Sequence, residues 1–423
     1  MKAYELFLRS SGITIDTRQV YKNQLFVALK GPNFNGNHFV QDALDQGAIG
    51  AIVDEKDAVI GENCILVDDA LECLQNMALK HRERFTIPVI GLTGSNGKTT
   101  VKELLQRGLS SQYNVLSTKG NLNNHIGVPL TLLRITRDHD FAIIEMGANH
   151  QGEIKSYCSW VKPTHGMITN IGKAHLEGFG GLEGVLHGKM ELFDAVCSSG
   201  GTVFYPFIEK DIAQKLGTYS HKTTYGIDPS ADFYLPVEID GDVLQIRQHP
   251  NPKKATFQLK GNFNRNNIIG AAALCNHFSL KEDDYLPPLL AYNPQNNRSQ
   301  YIEKNKATIV LDAYNANPSS MRASIDGFMK RPEEKILVLG EMKELGEYSA
   351  KEHQALVDFV QTLDVSEALF FGKEFSQCQF SEKQTFYEKK TDLKQRFHHH
   401  SNTECSILVK GSRSCKLEEL LLD

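Results

Sequence analysis

The segment Ile87–Gln106, IPVIGLTGSNGKTTVKELLQ, constrains the fold most, because an apolar strand pattern leads through a glycine loop into a helix pattern. A loop of this kind directs backbone N–H groups and a helix N-terminus at an anion. The usual pattern G-x-x-x-x-G-K-[ST] requires a glycine at Leu92, and only the Gly97-Lys98-Thr99 part is in register. The strand-to-helix context still predicts a nucleotide phosphate site.

Chemistry suggests roles for three side chains. Lys98 would reach the β- and γ-phosphates of a nucleotide, and the Thr99 hydroxyl would hold Mg²⁺. The buried-strand pattern FAIIE ends in Glu145. An acid at the C-terminal end of a strand next to a phosphate loop can orient Mg²⁺. The sequence therefore predicts a nucleotide site with a metal, although kinases, hydrolases and ligases all use such loops.

Composition limits the remaining classes. A chain of 423 residues predicts two or three domains. The net charge of −5 gives no basic field for nucleic acid. The eight cysteines are scattered without a C-x-x-C pair, which favours reduced thiols. No apolar run approaches the ~20 residues of a membrane helix, and the charged N-terminus does not resemble a signal peptide. A cytoplasmic protein without membrane insertion is expected.

The texture of the chain predicts an α/β protein of three units. Residues 1–84 show strand and helix patterns typical of a small α/β domain. Residues 85–298 alternate strand, loop and helix, which predicts a mostly parallel sheet with helices on both faces. A proline- and asparagine-rich stretch places a boundary near residue 298, and residues 299–423 predict a third α/β domain. The run His398–His400 is expected to lie in a solvated loop.

Five segments together resemble the Mur ligase family: TGSNGKTT, GNLNNHIGVPLTLL, EMGANHQGEI, TNIGKAHLEGFG and YNANPSSM. The resemblance runs from Asp16 almost to the C-terminus. It implies a small N-terminal α/β domain, a central P-loop mononucleotide-binding parallel sheet and a C-terminal Rossmann-like domain. The family's variant loop, TG-x-x-GKT, would explain why Leu92 is not glycine.

The resemblance also implies a reaction. The branch of the family that these segments match joins D-alanyl-D-alanine to UDP-N-acetylmuramoyl-tripeptide. ATP phosphorylates the substrate carboxylate, and the incoming amine displaces phosphate from the acyl phosphate. Two Mg²⁺ ions would offset the repulsion between the anions. The implied catalytic residues are Lys98, Glu145, His175 and Lys189. Thr99, Glu145, His175 and Lys189 would serve the metals, with Lys189 at the position where relatives carry a carbamylated lysine.

For the nucleotide, the resemblance implies contacts from the loop Gly94, Ser95, Asn96, Gly97, Lys98, Thr99 and Thr100. Asn264 and Asn267 would contact the adenine, and Phe263 stands where the family has a histidine. Arg298 would reach the phosphates, although Asn297 replaces the usual preceding glycine. Asp312 would lie near the ribose.

For the other substrates, the implied residues fall in three places. The first domain would hold the uridine diphosphate through Asp16, Thr17, Arg18, Lys30, Asn35 and Gly36. Asn121, Asn123 and Asn124 would line the path of the muramoyl tripeptide, and Asn315 and Asn317 belong to the loop after Asp312. Residues 339–349 and 410–414 of the third domain would form the D-alanyl-D-alanine side.

Three other interpretations remain open at this point. Another amino-acid ligase of the superfamily, such as a sister Mur enzyme or folylpolyglutamate synthase, would share most motifs. A P-loop kinase or hydrolase needs only the glycine loop and Glu145. A nucleotide-binding scaffold without catalysis would need neither Lys98 nor His175 intact. A monomer is expected from the family.

Overall fold

The computed structural model describes residues 2–241, 243–246, 256–294 and 297–422. They form an α/β protein built around three separate main sheets, of four, seven and six strands. The mixed α/β architecture with a parallel central sheet confirms the predicted fold class. Among these described residues, no helix has both the length and the apolar character needed to cross a membrane.

The first unit is a four-stranded parallel sheet in the order β1-β2-β5-β6, with a small hairpin, β3-β4, beside it. Its long helix packs onto helices of the second unit. The strands are β1 Ile13–Thr14, β2 Leu25–Val27, β3 Lys30–Gly31, β4 Phe34–Asn35, β5 Gly50–Val53 and β6 Cys64–Leu66. The helices are α1 Lys2–Arg9, α2 Val40–Asp45 and α3 Ala70–Arg82.

The second unit contains a seven-stranded parallel sheet in the order β13-β12-β11-β10-β7-β9-β8. Every residue of β7, which leads into the glycine loop, and of the neighbouring β9 is buried, which is why both appear as continuous apolar runs. The strands are β7 Val89–Thr93, β8 Val115–Ser117, β9 Phe141–Glu145, β10 His165–Ile168, β11 Thr202–Pro206, β12 Lys222–Gly226 and β13 Phe233–Tyr234.

Eight helices accompany this sheet in the described part of the chain. They are α4 Lys98–Leu109, α5 Gly127–Leu132, α6 Glu153–Val161, α7 Leu176–Phe179, α8 Leu182–Ser198, α9 Lys210–Leu216, α10 Arg265–His277 and α11 Glu282–Leu290. Helices α4 and α10 pack together on one face, and α6 and α8 pack together on the other. A small antiparallel sheet joins β14 Val237–Asp240, β15 Val243–Ile246 and β16 Thr256–Phe257.

The third unit has a six-stranded sheet in the order β17-β18-β22-β19-β20-β21, in which only the pair β17-β18 is antiparallel. The strands are β17 Gln300–Lys304, β18 Ala307–Asp312, β19 Lys335–Gly340, β20 Glu367–Phe371, β21 Gln384–Tyr387 and β22 Ser406–Lys410. The helices are α12 Pro318–Phe328, α13 Ser349–Gln361 and α14 Lys390–Ser401.

The loop predicted at His398–His400 is wrong. These residues form the last turn of α14. His400 is buried, and its Nε2 lies 2.6 Å from Glu367 Oε2 on the neighbouring strand β20. Glu367 is distant from His400 in the sequence but adjacent in the fold. Its carboxylate gives the buried imidazole a polar partner in place of water.

Helix α3 attaches the first unit to the second. The buried Arg82 guanidinium donates from Nε to Val161 O at 2.9 Å and from Nη2 to Lys162 O at 3.1 Å. These carbonyls lie at the C-terminal end of α6, where backbone acceptors lack partners within the helix. His81 Nε2 lies 2.8 Å from Ile135 O in the same interface. Arg82 and His81 thus find acceptors for their buried nitrogens across the junction.

Candidate active site

The glycine loop connects β7 to α4 and requires glycine at two positions. Gly94 has φ +143° and Gly97 has φ +82°. A Cβ on Gly94 would lie 2.0 Å from Thr169 Oγ1, and one on Gly97 would lie 2.3 Å from Asn267 Oδ1. Leu92, where the usual pattern has glycine, is fully buried within β7. The departure from the usual pattern therefore has a structural reason, since this position belongs to the core of the sheet.

The segment after β10 braces the loop. Asn96 N donates to Asn170 Oδ1 at 3.0 Å, and Asn170 Nδ2 donates back to Asn96 O at 3.0 Å. Ser95 Oγ donates to Gly172 O at 3.0 Å. Because β10 lies beside β7, the two loops leave the same edge of the sheet. This edge, at the carboxyl ends of the strands, is where open α/β sheets bind ligands.

Lys98 begins α4, and its side chain folds back onto the glycine loop. Its Nζ donates to Gly94 O at 2.5 Å. Burial lowers the pKa of Lys98 to about 8; the charge of Glu145 acts in the opposite direction, and that of Arg298 lowers it further. An anionic phosphate in the loop would favour the charged amine and restore the higher pKa. The geometry suits a cation that contacts phosphate oxygens.

Glu145 is 1% exposed and is surrounded by donors. Its Oε1 accepts from Thr99 Oγ1 at 3.1 Å and from Asn123 Nδ2 at 2.8 Å. Its Oε2 accepts no hydrogen bond among the described residues, and Lys102 Nζ lies 3.5 Å from it. A threonine hydroxyl beside a buried carboxylate with a spare oxygen is the oxygen-rich donor set that Mg²⁺ prefers. The residues present thus fit the predicted metal.

His175 and Lys189 differ in their exposure to the cleft. His175 faces the cleft, and its Nδ1 contacts Glu344 Oε2 of the third unit. Lys189 is fully buried behind the cleft wall, where its Nζ donates to Ala148 O at 3.3 Å and lies 4.8 Å from the Phe179 ring centre. Burial lowers the pKa of Lys189 well below its ordinary value, and the charge of Lys98 adds to this effect.

A cleft of about 660 Å³ brings most of the predicted site together. It lies between the second and third units, and Tyr157 and Phe263 contribute aromatic surface to it. The predicted residues that line it are Ser95, Asn96, Gly97, Lys98, Thr99, Thr100, Asn121, Asn123, Asn124, Glu145, His175, Asn264, Asn267, Arg298, Asp312, Asn315 and Asn317. Gly94 underlies this surface, and Lys189 is not part of the lining.

The side of the cleft predicted to bind the nucleotide is prearranged by hydrogen bonds and stacking. Asn264 Nδ2 donates to Lys260 O at 2.7 Å, and Asn267 Nδ2 donates to Asn264 Oδ1 at 3.0 Å. The Arg298 guanidinium stacks 3.7 Å from the centre of the Tyr314 ring. These contacts hold polar side chains and aromatic surface at the cleft, as recognition of a base and phosphates requires.

Contacts across the cleft tie the third unit to the loop. Asn317 caps α12 through Ser320 and also donates from Nδ2 to Asn96 Oδ1 at 2.8 Å. Asp312 is held by Lys410, with Nζ 2.6 Å from Oδ2. Lys173 Nζ lies 2.6 Å from Glu352 Oε1 in the same interface. The structure therefore shows an arrangement in which the third unit touches the phosphate loop.

The residues predicted for the uridine diphosphate do not line this cleft. Arg18 Nη2 lies 2.7 Å from Asp16 Oδ2, and hydrogen bonds from Arg18 lower the pKa of Asp16 to about 2. Thr17 begins the short helical turn that Asp16 caps. Lys30 Nζ lies 3.0 Å from both Asp54 Oδ1 and Glu55 Oε1, and Asn35 also bonds Glu55. Gly36 packs tightly on the backbone at Leu29.

Several residues of the site escaped the sequence reasoning. Asn170 braces the glycine loop, Lys102 lies against Glu145, and Tyr314 stacks on Arg298. Glu344 and Lys410 belong to the segments predicted for the dipeptide side, but their contacts with His175 and Asp312 were not predicted. Two local signals were available. Lys102 follows Lys98 by one helical turn, so both lie on the same face of α4, and Asn170 follows the end of β10 directly.

The chain matches three family models in succession: the Mur ligase family catalytic domain at residues 9–91, the Mur ligase middle domain at 92–275 and the Mur ligase glutamate ligase domain at 297–413. It is 33% identical to the UDP-N-acetylmuramoyl-tripeptide–D-alanyl-D-alanine ligases of Bacillus subtilis and Escherichia coli, each over 97% of this chain and 92% of the relative.

Solved structures agree with these matches. The fold resembles a crystal structure of MurF from Acinetobacter baumannii with a TM-score of 0.88 at 28% identity, over 99% of this chain and 97% of the other. MurF from Thermotoga maritima in complex with ADP gives a TM-score of 0.85 at 26% identity, with the same coverage. Sequence, fold and cleft thus agree along the chain, which belongs to the Mur ligase family.

Proposed function

We infer that this protein is an ATP-dependent ligase that joins D-alanyl-D-alanine to UDP-N-acetylmuramoyl-tripeptide and forms ADP and phosphate. The observation that carries this inference is the cleft in which the phosphate loop of the second unit faces polar residues of the third. Full-length relatives bearing this name support the choice of substrates. The reaction is the last cytoplasmic step in making the peptidoglycan precursor nucleotide.

The proposed nucleotide site uses residues from both sides of the cleft. Backbone N–H groups of the loop and the Lys98 amine would bind the phosphates, and Arg298 would add a second cation. Asn264 and Asn267 would hydrogen-bond the adenine, with Phe263 packing on the ring. Asp312, oriented by Lys410, would accept hydrogen bonds from the ribose. The ADP complex of the Thermotoga relative supports a nucleotide in this fold.

Thr99, Glu145 and His175 would hold Mg²⁺, with two ions proposed as in the family. The metal would neutralise charge on the triphosphate and on the substrate carboxylate as the acyl phosphate forms. Within the chain, Asn123 and Thr99 keep Glu145 oriented by donating to its Oε1. Arg298 and Lys98 would stabilise the negative charge that develops during transfer.

Lys189 would act from behind the cleft as a carbamate. A neutral amine is the form that takes up CO₂, and burial favours that form here. The carbamate would carry a negative charge. It would lie next to Ala148, which lines the cleft, and would serve the metal site from there. This role is proposed together with the other site residues.

The other substrates would enter from opposite sides. Asp16, Thr17, Arg18, Lys30, Asn35 and Gly36 would hold the uridine diphosphate. Asn121, Asn123 and Asn124 would line the tripeptide path, and Asn315 and Asn317 would join the third unit to it. We further propose domain boundaries at residues 84/85 and 298/299, a monomeric state and a cytoplasmic location.

The test is phosphate release from ATP in the presence of UDP-N-acetylmuramoyl-tripeptide, with and without D-alanyl-D-alanine. The expected result is release that requires both substrates, together with a product heavier by the dipeptide in mass spectrometry. Release that proceeds with ATP alone would overturn the ligase proposal in favour of a hydrolase. Release that requires another amino acid would identify a sister ligase.

A further inference from the structure

The contact between His175 and Glu344 joins the second and third units at the cleft. His175 precedes α7, and Glu344 lies in the loop between β19 and α13. His175 Nδ1 contacts Glu344 Oε2, and Glu177 N donates to Glu344 O at 3.3 Å. Side chain and backbone of one loop thus dock together on the start of α7.

Both residues have backbone conformations that side chains with a Cβ rarely adopt. His175 has φ +53° and Glu344 has φ +64°. Each such residue costs of order 1 kcal/mol, and this cost persists where surrounding structure supports it, often at functional sites. Two strained residues that meet each other across a unit boundary indicate that their contact is specified by the fold.

The contact also determines which imidazole nitrogen is free. His175 Nδ1 is buried, its close contact is with the Glu344 carboxylate, and it makes no hydrogen bond to other described residues, whereas the ring lines the cleft. A carboxylate on Nδ1 favours the tautomer with the proton there, which leaves the Nε2 lone pair for a cation or a substrate proton. His175 Nε2 makes no hydrogen bond with the rest of the described chain, so it is available for this purpose.

We propose that Glu344 is a positioning residue: it orients His175 with Nε2 towards the cleft, so that the catalytic centre is completed only when the third unit docks on the second. The proposal rests on the proposed function, because His175 acts there as a metal ligand. Glu344 itself would touch neither metal nor nucleotide. Closure of the third unit would then contribute to catalysis directly. The unit proposed to bind D-alanyl-D-alanine also carries Glu344, which fixes the orientation of His175.

Two substitutions of Glu344 distinguish the effect of losing the carboxylate from the effect of relieving the positive φ. Glu344→Gln keeps the size of the side chain, and Glu344→Gly removes the carboxylate while accepting positive φ without cost. Both should fold, because the Glu344 side chain is 51% exposed. Glu382→Gln, at an exposed acid of the third unit that does not line the cleft, is the matched control.

We expect both Glu344 variants to lower kcat by about 10- to 100-fold, as loss of an outer partner of a metal-binding histidine does. The KM for ATP should stay close to that of the original protein. A second readout is Mn²⁺ binding with adenylyl imidodiphosphate and UDP-N-acetylmuramoyl-tripeptide, followed by the electron paramagnetic resonance signal of free Mn²⁺. The midpoint of Mn²⁺ binding should rise about tenfold or more in both Glu344 variants and remain unchanged in Glu382→Gln.

The outcomes separate the two proposals. Glu344→Gly with normal kcat and normal Mn²⁺ binding would overturn the positioning role. A lower kcat with normal Mn²⁺ binding would also overturn it, because the loop would then act through dipeptide binding or closure alone. If the original protein shows no substrate-dependent phosphate release, the proposed function itself fails, whatever the variants do.

Discussion

Lys102 Nζ lies 3.5 Å from Glu145 Oε2, and the two side chains are 2% and 1% exposed. The same amine donates to Gly120 O at 3.3 Å. Lys102 therefore links three elements: helix α4 after the phosphate loop, strand β9 that ends in Glu145, and the loop that carries Asn123. A buried carboxylate next to the proposed nucleotide site is thus balanced by a lysine that the nucleotide does not need to touch.

Replacing Lys102 with methionine should destabilise the protein. The substitution keeps most of the side-chain length but removes the ion-pair partner of the buried Glu145 carboxylate, and breaking a buried pair typically costs 3–5 kcal/mol. We expect a loss near the lower end, about 3 kcal/mol, because Thr99 and Asn123 still donate to the carboxylate. Urea denaturation followed by circular dichroism would measure the free energy of unfolding.

Lys119→Met is the matched control for this experiment. Lys119 precedes Gly120 in the same loop, but its side chain is exposed. Its removal should change the free energy of unfolding by less than about 0.5 kcal/mol. If the two variants have equal free energies of unfolding, the buried pair of Lys102 and Glu145 does not stabilise the fold as proposed.

The sequence predicted the phosphate loop and Glu145 because both follow from local pattern. Strands that are buried on both faces appear as apolar runs, and the carboxyl ends of parallel strands meet at one edge. Thr99 Oγ1 lies 3.1 Å from Glu145 Oε1, so the two segments do meet at this edge. The residues of the adenine and ribose sides came from family resemblance, since an asparagine at a helix start has no distinguishing pattern of its own.

Contacts between distant segments could not be predicted in this way. The spacing of one helical turn places Lys102 on the same face of α4 as Lys98. It does not identify Glu145 as the partner of Lys102, because a lysine in a helix is usually solvated. The pair His175 and Glu344 depends on how two units dock, which periodicity does not encode. The error at His398–His400 has the same origin, because Glu367 is supplied by a different element of the third unit.

Gly94→Ala should abolish tight nucleotide binding. The new Cβ would lie 2.0 Å from Thr169 Oγ1 and 3.0 Å from Thr169 N, so the loop would have to move away from β10. We expect the Kd for ADP with Mg²⁺ to rise at least about tenfold, because displaced N–H groups no longer converge on phosphate. Isothermal titration calorimetry would measure it.

Gly200→Ala controls for backbone strain in that experiment. Gly200 also has positive φ, +75°, but a Cβ there would meet nothing within 4 Å. This variant should lose about 1 kcal/mol of stability and bind ADP normally. Normal ADP binding by Gly94→Ala would show that the loop does not hold the phosphates.

The pair formed by His165 at the start of β10 and His277 at the end of α10 should lower the free energy of unfolding in acid. His165 Nε2 lies 3.3 Å from His277 Nε2. Burial, with a contribution from the charge of His277, lowers the pKa of His165 from 6.5 to about 4. Between pH 4 and pH 6.5, His165 therefore binds a proton in the unfolded chain but not in the folded protein. The stabilisation is complete above pH 6.5 and is lost as pH falls towards 4, by about 2–3 kcal/mol.

His165→Gln should reduce this pH dependence, since its side chain does not titrate. Urea denaturation at pH 7.0 and pH 4.5 would give the difference in the free energy of unfolding between the two conditions. His221→Gln, at an exposed histidine, should keep the original difference. If the two variants behave alike, the acid sensitivity arises outside this pair.

Lys189→Met should separate stability from activity. Burial places the pKa of Lys189 well below 10.5 in the folded protein. The unfolded chain thus binds more protons in the window between these two pKa values, so stability rises with pH across it. Methionine removes that dependence and the cost of burying the amine, and the variant should be at least as stable at pH 7. Its kcat should fall at least about tenfold, because the proposed carbamate cannot form without the lysine.

Denaturation at pH 7 and pH 10, together with kcat, would test this expectation, and Lys155→Met at an exposed position is the control. The carbamate itself is checked by ¹³C NMR after equilibration with ¹³C-bicarbonate, which should give a carbamate signal that Lys189→Met lacks. A variant with unchanged kcat would remove Lys189 from the catalytic site. A stable, inactive variant whose parent shows no carbamate signal would instead assign the role to the uncharged amine and its contact with Ala148.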